Sequence, residues 1–329
     1  MQFISNLNIS RLIPKSRYFN PLLKVLVFLV LGYHIGKIVI AKDLFSVAYV
    51  SRIADIGFGA KLAVLFVILL FPVNWALETL KWRFLIKGTE KVSFFQAYKG
   101  ILTGVAFGFA TPHGIGDYAG RILQLESAER SSLIGAVFVS RIAQFFITFL
   151  FGSAALVFFF SKFYSDWLIF NTLSATLLMA NGMFLLMFVL HRQALYSLKK
   201  IVWLKGIYRY FSIIGQYSVK EMFSVLSFSC LRYMVFTIQF VILLLVFDVH
   251  SNYLILFTGV SFIFFVKSVM PTLFDLGVRE SAALYFFSYF QSVEEGVLVA
   301  SLSLWAINIL LPAIIGMFMS LKIKISGKE

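Results

Sequence analysis

The sequence predicts an all-α polytopic membrane protein with about six full spans and two broken or re-entrant helical hairpins, arranged as an inverted repeat. Three observations carry that prediction. The 329 residues are 60% apolar and only 13% charged, with a mean hydropathy of +0.90, far from the composition of a soluble globular domain. The apolar residues fall into stretches long enough to cross a hydrocarbon core of about 30 Å, which takes roughly 20 helical residues. Two further stretches are interrupted by ATPHGIGDYAGR (110–121) and VMPTLFDLGVRE (269–280). In each, a Pro and a Gly stop the helix in an apolar setting, and backbone freed in this way survives in a bilayer only where protein or a wet cavity satisfies it.

The elements follow in order. Residues 1–20 are expected to be a basic tail, cytoplasmic or interfacial, with Phe3, Ile4, Leu7 and Ile13 set against Arg11, Lys15 and Arg17 and an expected helix end at Pro14. The apolar run behind it shows no small-residue cleavage site, so the tail is expected to stay attached. Full spans are expected at 21–40, 62–80, 131–160, 168–190, 222–247 and 296–321. In the second, Glu78 is placed to neutralise Lys81 three residues on, at the cytoplasmic end. The broken segments 94–129 and 253–290 supply the hairpins. Trp75, Trp82, Trp167 and Trp203 are expected in the interfacial belt, with Trp305 packed mid-span. All of this makes a single integral membrane domain, 1–329.

Charge sets the orientation. Lys81, Arg83, Lys87, Lys91 and Lys99 crowd one connection against Glu90, and the connection 191–221 carries six basic residues against Glu221 alone. Both belong in the cytoplasm by the positive-inside rule. A single crossing by 94–129 would put the second connection outside, and a re-entrant hairpin that enters from the cytoplasm restores the sign, so that arrangement is expected rather than a full crossing. The second hairpin, flanked by Asp248 and by Glu294 and Glu295, must enter from the outer face. Both termini are then cytoplasmic, and the expected location is the cell membrane. The formal net charge of +14 reports topology and contact with anionic headgroups; a nucleic-acid partner is not expected.

No P-loop, Rossmann glycine pattern, zinc-protease motif or nucleophile triad is present, and His34, His113, His191 and His250 are scattered. No metal or other cofactor is expected. Cys230 is the single cysteine and reads as a small core residue. No catalytic residue can be named.

The binding candidates lie at the breaks and deep in two spans. Arg141 and Arg232 fall about ten residues into their spans, roughly 15 Å deep. Each is either a buried arginine paired with a carboxylate or with carbonyls freed at a break, or a planar fork that receives a lipid phosphate. Pro112, Gly116, Asp117 and Arg121 follow the first break, and Pro271, Gly277, Arg279 and Glu280 the second. Their carboxylates read as helix caps or arginine locks on one account, and as part of a headgroup site on the other. His113 reads as a turn residue, and Lys267 and Asp275 stand just outside the site.

The pattern P-x-x-x-G-D-x-x-x-R at Pro112, Gly116, Asp117 and Arg121, the following span with Arg141, and P-x-x-x-x-x-G-V-R-E at Pro271, Gly277, Arg279 and Glu280 together resemble the membrane region of the lysylphosphatidylglycerol synthases. Asp117 stands where that family usually has Glu. The resemblance implies a flippase-like translocator of phospholipids or lipid-linked headgroups without the aminoacyl-transfer domain. Membrane lipids with anionic headgroups are then the expected partners. Two alternatives stand beside it: a non-catalytic membrane partner in envelope lipid or glycan biosynthesis, and an intramembrane lipid-modifying enzyme. A homo-oligomer is compatible with each.

Overall fold

The structure is a computed structural model that describes residues 56–109, 111, 114–123, 125, 133–164, 166–200, 208, 210–270 and 277–321, together with Leu29, Tyr33, Lys37, Ile40 and Ser51. The expected tail, the first span 21–40 apart from four of its residues, Trp203, Pro112, His113 and residues 271–276 lie outside the described residues. Every described regular element is helical.

Five helices are long and apolar enough to cross a membrane among the described residues. They are α1 (Phe58–Ile86), α4 (Leu133–Phe163), α5 (Trp167–Val189), α7 (Val219–Val246) and the last span, Glu294–Ser320. The last span consists of α10 (Glu294–Trp305), a π turn (Ala306–Leu310) and α11 (Leu311–Ser320). The hairpins are α2 (Phe94–Phe109) with α3 (Gly116–Ile122), and α8 (Tyr253–Val269) with α9 (Val278–Ser288). A short helix, α6 (His191–Lys200), follows α5.

Local chemistry sets several starts. Asp166 accepts from the Ile169 N–H to begin α5, and Asn252 accepts from the Leu254 N–H to begin α8. Ser218 and Glu221 form a reciprocal capping box at the start of α7, which satisfies two of the backbone donors a helix start leaves open.

Side-chain bonds give the register of the central pair. Gln239 Nε2 donates to the Val67 carbonyl (2.9 Å), Lys81 Nζ to Ser229 Oγ (3.2 Å), and Tyr217 Oη to the Leu85 carbonyl (2.8 Å), while Lys87 pairs with Glu221 (2.6 Å). Helices α1 and α7 are therefore antiparallel. Burial, with Glu221 nearby, pushes the Tyr217 phenol up, so it serves as a fixed donor in that register.

The same contacts place the hairpins. Helix α2 begins at the end where α1 finishes, and after α3 the chain enters α4 at that end too, with Gly135 against Tyr210 and Ile213. Helix α8 begins where α7 finishes, and α10 begins with Gly296 against the Phe247 carbonyl at that opposite end. The two hairpins thus enter from opposite ends, as the charge pattern predicted. Tight packing inside the first has a specific cause. A Cβ on Gly120 would strike the Gly104 backbone, and one on Gly104 would strike Asp117 and Arg121, so two glycines let the limbs touch.

The apolar core has one cluster near the Lys87 end, around Trp82, Leu133, Ala136 and Tyr233, and a second near the Asp248 end, around Phe240, Phe262, Phe286 and Phe287. Trp305 is buried as expected and Trp167 is exposed. Trp75 and Trp82 correct the sequence reading: they are 6% and 0% exposed and pack under arginines rather than in an interfacial belt.

Candidate functional site

The break after α2 is satisfied by neighbouring groups. The Thr111 hydroxyl donates to the Phe107 carbonyl (3.0 Å) and accepts from the Gly116 N–H (2.7 Å), bridging the last turn of α2 to the first of α3. Gly114 takes a positive φ of 64°, and its carbonyl accepts from Arg141 Nη2 (2.7 Å). A guanidinium from the neighbouring span therefore covers the freed backbone at the hairpin tip.

From that tip a charged network runs into the protein. Arg141 Nε reaches Asp117 Oδ2 (3.2 Å), and Asp117 Oδ1 accepts from Arg121 Nε (2.7 Å). Arg121 Nη1 continues to Glu78 Oε1 (2.8 Å), which also accepts from the Ser140 hydroxyl (3.0 Å). Lys81 approaches Glu78 Oε2 (2.9 Å), and Arg232 Nε lies 3.7 Å from the same oxygen. Gln144 ties the far edge, accepting from Arg232 Nη1 (3.4 Å) and donating to the Ser229 carbonyl (3.3 Å). Aromatic faces back the arginines: Trp75 under Arg232 (4.8 Å), Tyr118 under Arg141 (5.1 Å) and Trp82 near Arg121 (5.9 Å).

Burial grades along this chain of contacts. The Glu78 and Lys81 side chains are 4% and 1% exposed, whereas that of Arg141 is 36% exposed. The exposed part faces a cavity of about 560 Å³ walled by α1, the first hairpin, α4, α7, the end of α8 and the π turn. Its described wall carries Lys81, Arg121, Arg141, Arg232 and Lys267 against Glu78 and Asp117, alongside Trp75, Val105, Phe109, Met270, Trp305 and Ile309. Charges are expensive at this depth, and basic groups that outnumber carboxylates in low dielectric favour an anion.

Of the ten residues singled out from the sequence, the structure brings Asp117, Arg121, Arg141 and Arg232 together, with Gly116 bonded at the tip. Asp117 directs one oxygen to each of two arginines, so the lock reading describes it better than the cap. Pro112 and Pro271 lie outside the described residues. Gly277, with φ 81°, begins α9 away from the cavity wall. Arg279 bonds Ser301 Oγ on α10 (2.8 Å) and pairs with Glu280 beside it, and neither lines the cavity. The second hairpin reaches the cavity instead through Lys267, Ser268 and Met270.

Glu78 and Lys81 do pair as the spacing implied, but not at a helix edge. Glu78 is eight residues short of the α1 end, about 12 Å inside, and receives two arginines besides Lys81. The signal that could have found them was the run E-T-L-K two turns inside the C-terminal end of an apolar helix. No group of His, Cys, Asp and Glu suited to a metal ion occurs among the described residues.

No curated protein and no solved structure matches this chain significantly. Residues 22–316 do match the family model described as the lysylphosphatidylglycerol synthase TM region; that stretch contains both hairpins and the whole charged cavity, and the chain belongs to this family.

Proposed function

We propose that the protein is a flippase-like lipid translocator whose cavity receives an anionic headgroup while the acyl tails stay in the bilayer. Family membership supports a membrane protein of lipid-related processes, and the charged cavity supports the finer reading. The single observation that carries it is the basic majority among the described residues on the wall of a cavity of about 560 Å³ at the tip of the first hairpin. Arg141 and Arg232 present planar forks that match phosphate oxygens. Asp117 and Glu78 orient those forks before a headgroup arrives, and an arriving phosphate competes with the carboxylates for them. The hairpins entering from opposite ends supply the arrangement that transporters use to expose one site to either leaflet.

Reconstitution into liposomes tests the reading. With headgroup-labelled anionic and zwitterionic phospholipids in separate vesicles, the anionic lipid should cross between leaflets faster than in protein-free vesicles and be recovered chemically unchanged. Equal rates with and without protein would remove the translocator reading, and a modified lipid would replace it with an enzyme.

A further inference from the structure

The last span changes winding in its middle. Leu311 donates its N–H to the Ala306 carbonyl five residues back, which closes the π turn Ala306–Leu310. Pro312 provides the cause. It has no N–H to offer the Asn308 carbonyl four residues earlier, and its ring crowds that oxygen, so regular α winding cannot pass. π turns inserted into α-helices are frequent at functional sites.

The halves on either side of the turn hold different hairpins. Helix α11 packs along α2, with Gly316 against the Leu102 carbonyl and Ala313 and Met317 against Ala106. Helix α10 packs on α9 and α7, and Arg279 of the second hairpin grips it through Ser301. Trp305 and Ile309, at the junction, face the charged cavity. The turn itself is tied to α1 by one side-chain bond, Asn74 Nδ2 to Asn308 Oδ1 (3.1 Å). Both asparagines are 0% exposed, and Asn74 Oδ1 has no hydrogen-bond partner among the described residues. Asn308 Nδ2 also donates to the Leu304 carbonyl (3.4 Å), so Asn74 Oδ1 is the one atom of the pair left open among the described residues, and a buried amide pair not fully satisfied is a contact that another packing can replace.

We propose that the π turn is a hinge between the two hairpins, and that Asn74–Asn308 is the latch holding it in the arrangement seen. The second motif then acts through the hinge: Arg279 and Glu280 fasten α9 to α10, so movement of that hairpin carries Trp305 along the cavity wall. The inference rests on the translocator reading for its use, but its geometry stands on the packing alone.

Spin labels at Phe95 on α2 and Ser288 on α9, both exposed, report the separation of the hairpins in a Cys230→Ser background. The latch is removed in the pair Asn74→Leu with Asn308→Leu, because replacing both partners by apolar groups of similar size avoids stranding one of them. This double variant should move or split the distance distribution by on the order of 2 Å, the scale of helix shifts between discrete states. Pro312→Ala, which restores the missing N–H, should narrow the distribution to one distance. Distributions identical to the parent protein in both variants would overturn the hinge. The distances are read without transport, so shifted distances with no lipid movement would remove the translocator and leave the hinge. Unshifted distances with normal movement would do the reverse.

Discussion

Glu78 holds three cations in place, and its removal should therefore damage the fold more than removal of any one of them. Glu78→Gln leaves Lys81, Arg121 and Arg232 facing one another without the shared anion. Breaking a buried pair from one side costs about 3–5 kcal/mol. A clear fall in the melting temperature in detergent is expected; an unchanged one would mean the network is hydrated and weak. Arg141→Lys separates binding from stability. Arg141 is the most exposed member, so Lys there should leave the melting temperature near the parent value while lipid translocation falls, since a point charge lacks the planar fork. Normal translocation by that variant would favour a purely structural arginine. These roles differed in how visible they were. Arg141, Arg232, Asp117 and Arg121 stand out because a charge inside an apolar run needs a reason. Glu78, Lys81, Trp75 and Trp82 did not, because at the rim of a span the same residue types ordinarily neutralise or anchor.

At the level of elements, the first hairpin depends on two glycines, Gly104 on α2 and Gly120 beside Arg121 on α3. Gly120→Ala should disrupt it, because the added carbon meets the Gly104 backbone, and a rigid backbone cannot step aside. Gly182→Ala on α5 is the matched control: nothing lies within reach of its Cβ. Replacing a helical Gly there should stabilise by up to about 1 kcal/mol. Monodispersity and melting temperature of the purified variants check both, and equal behaviour would show that the limbs do not need their close approach. The glycines at 100, 104 and 108 recur every four residues, which puts them on one face of α2, but the spacing does not name the partner of that face. The capping box of Ser218 with Glu221 starts α7 at Val219, three residues before the expected 222. The π turn was not legible, since Pro312 alone marks a disturbed helix without saying which way the winding relaxes.

Across the whole molecule, the direction of each hairpin follows from charge at the two ends. Lys87 and Lys91 lie at the end where the first hairpin enters, and Asp248, Glu294 and Glu295 at the end where the second does. A cysteine at Lys91 in a Cys230→Ser background should resist an impermeant thiol reagent in intact cells, and one at Glu294 should react; the opposite pattern would invert the protein in the membrane. The two-hairpin architecture was legible because Pro and Gly interrupt apolar runs at two places. The unequal roles of the motifs were not, since they look alike in sequence while, among the described residues, Asp117 and Arg121 of the first line the cavity and Arg279 and Glu280 of the second bond Ser301 on α10 instead. The proposed function requires this cavity to hold an anionic lipid headgroup. Photocrosslinking tests it most directly, with benzoylphenylalanine replacing Phe109 on the cavity wall in cell membranes and the captured lipids identified by mass spectrometry. Anionic phospholipids should be captured well above their share of the membrane, and Arg232→Lys should abolish that enrichment. Capture in simple proportion to membrane composition, unchanged by Arg232→Lys, would contradict it.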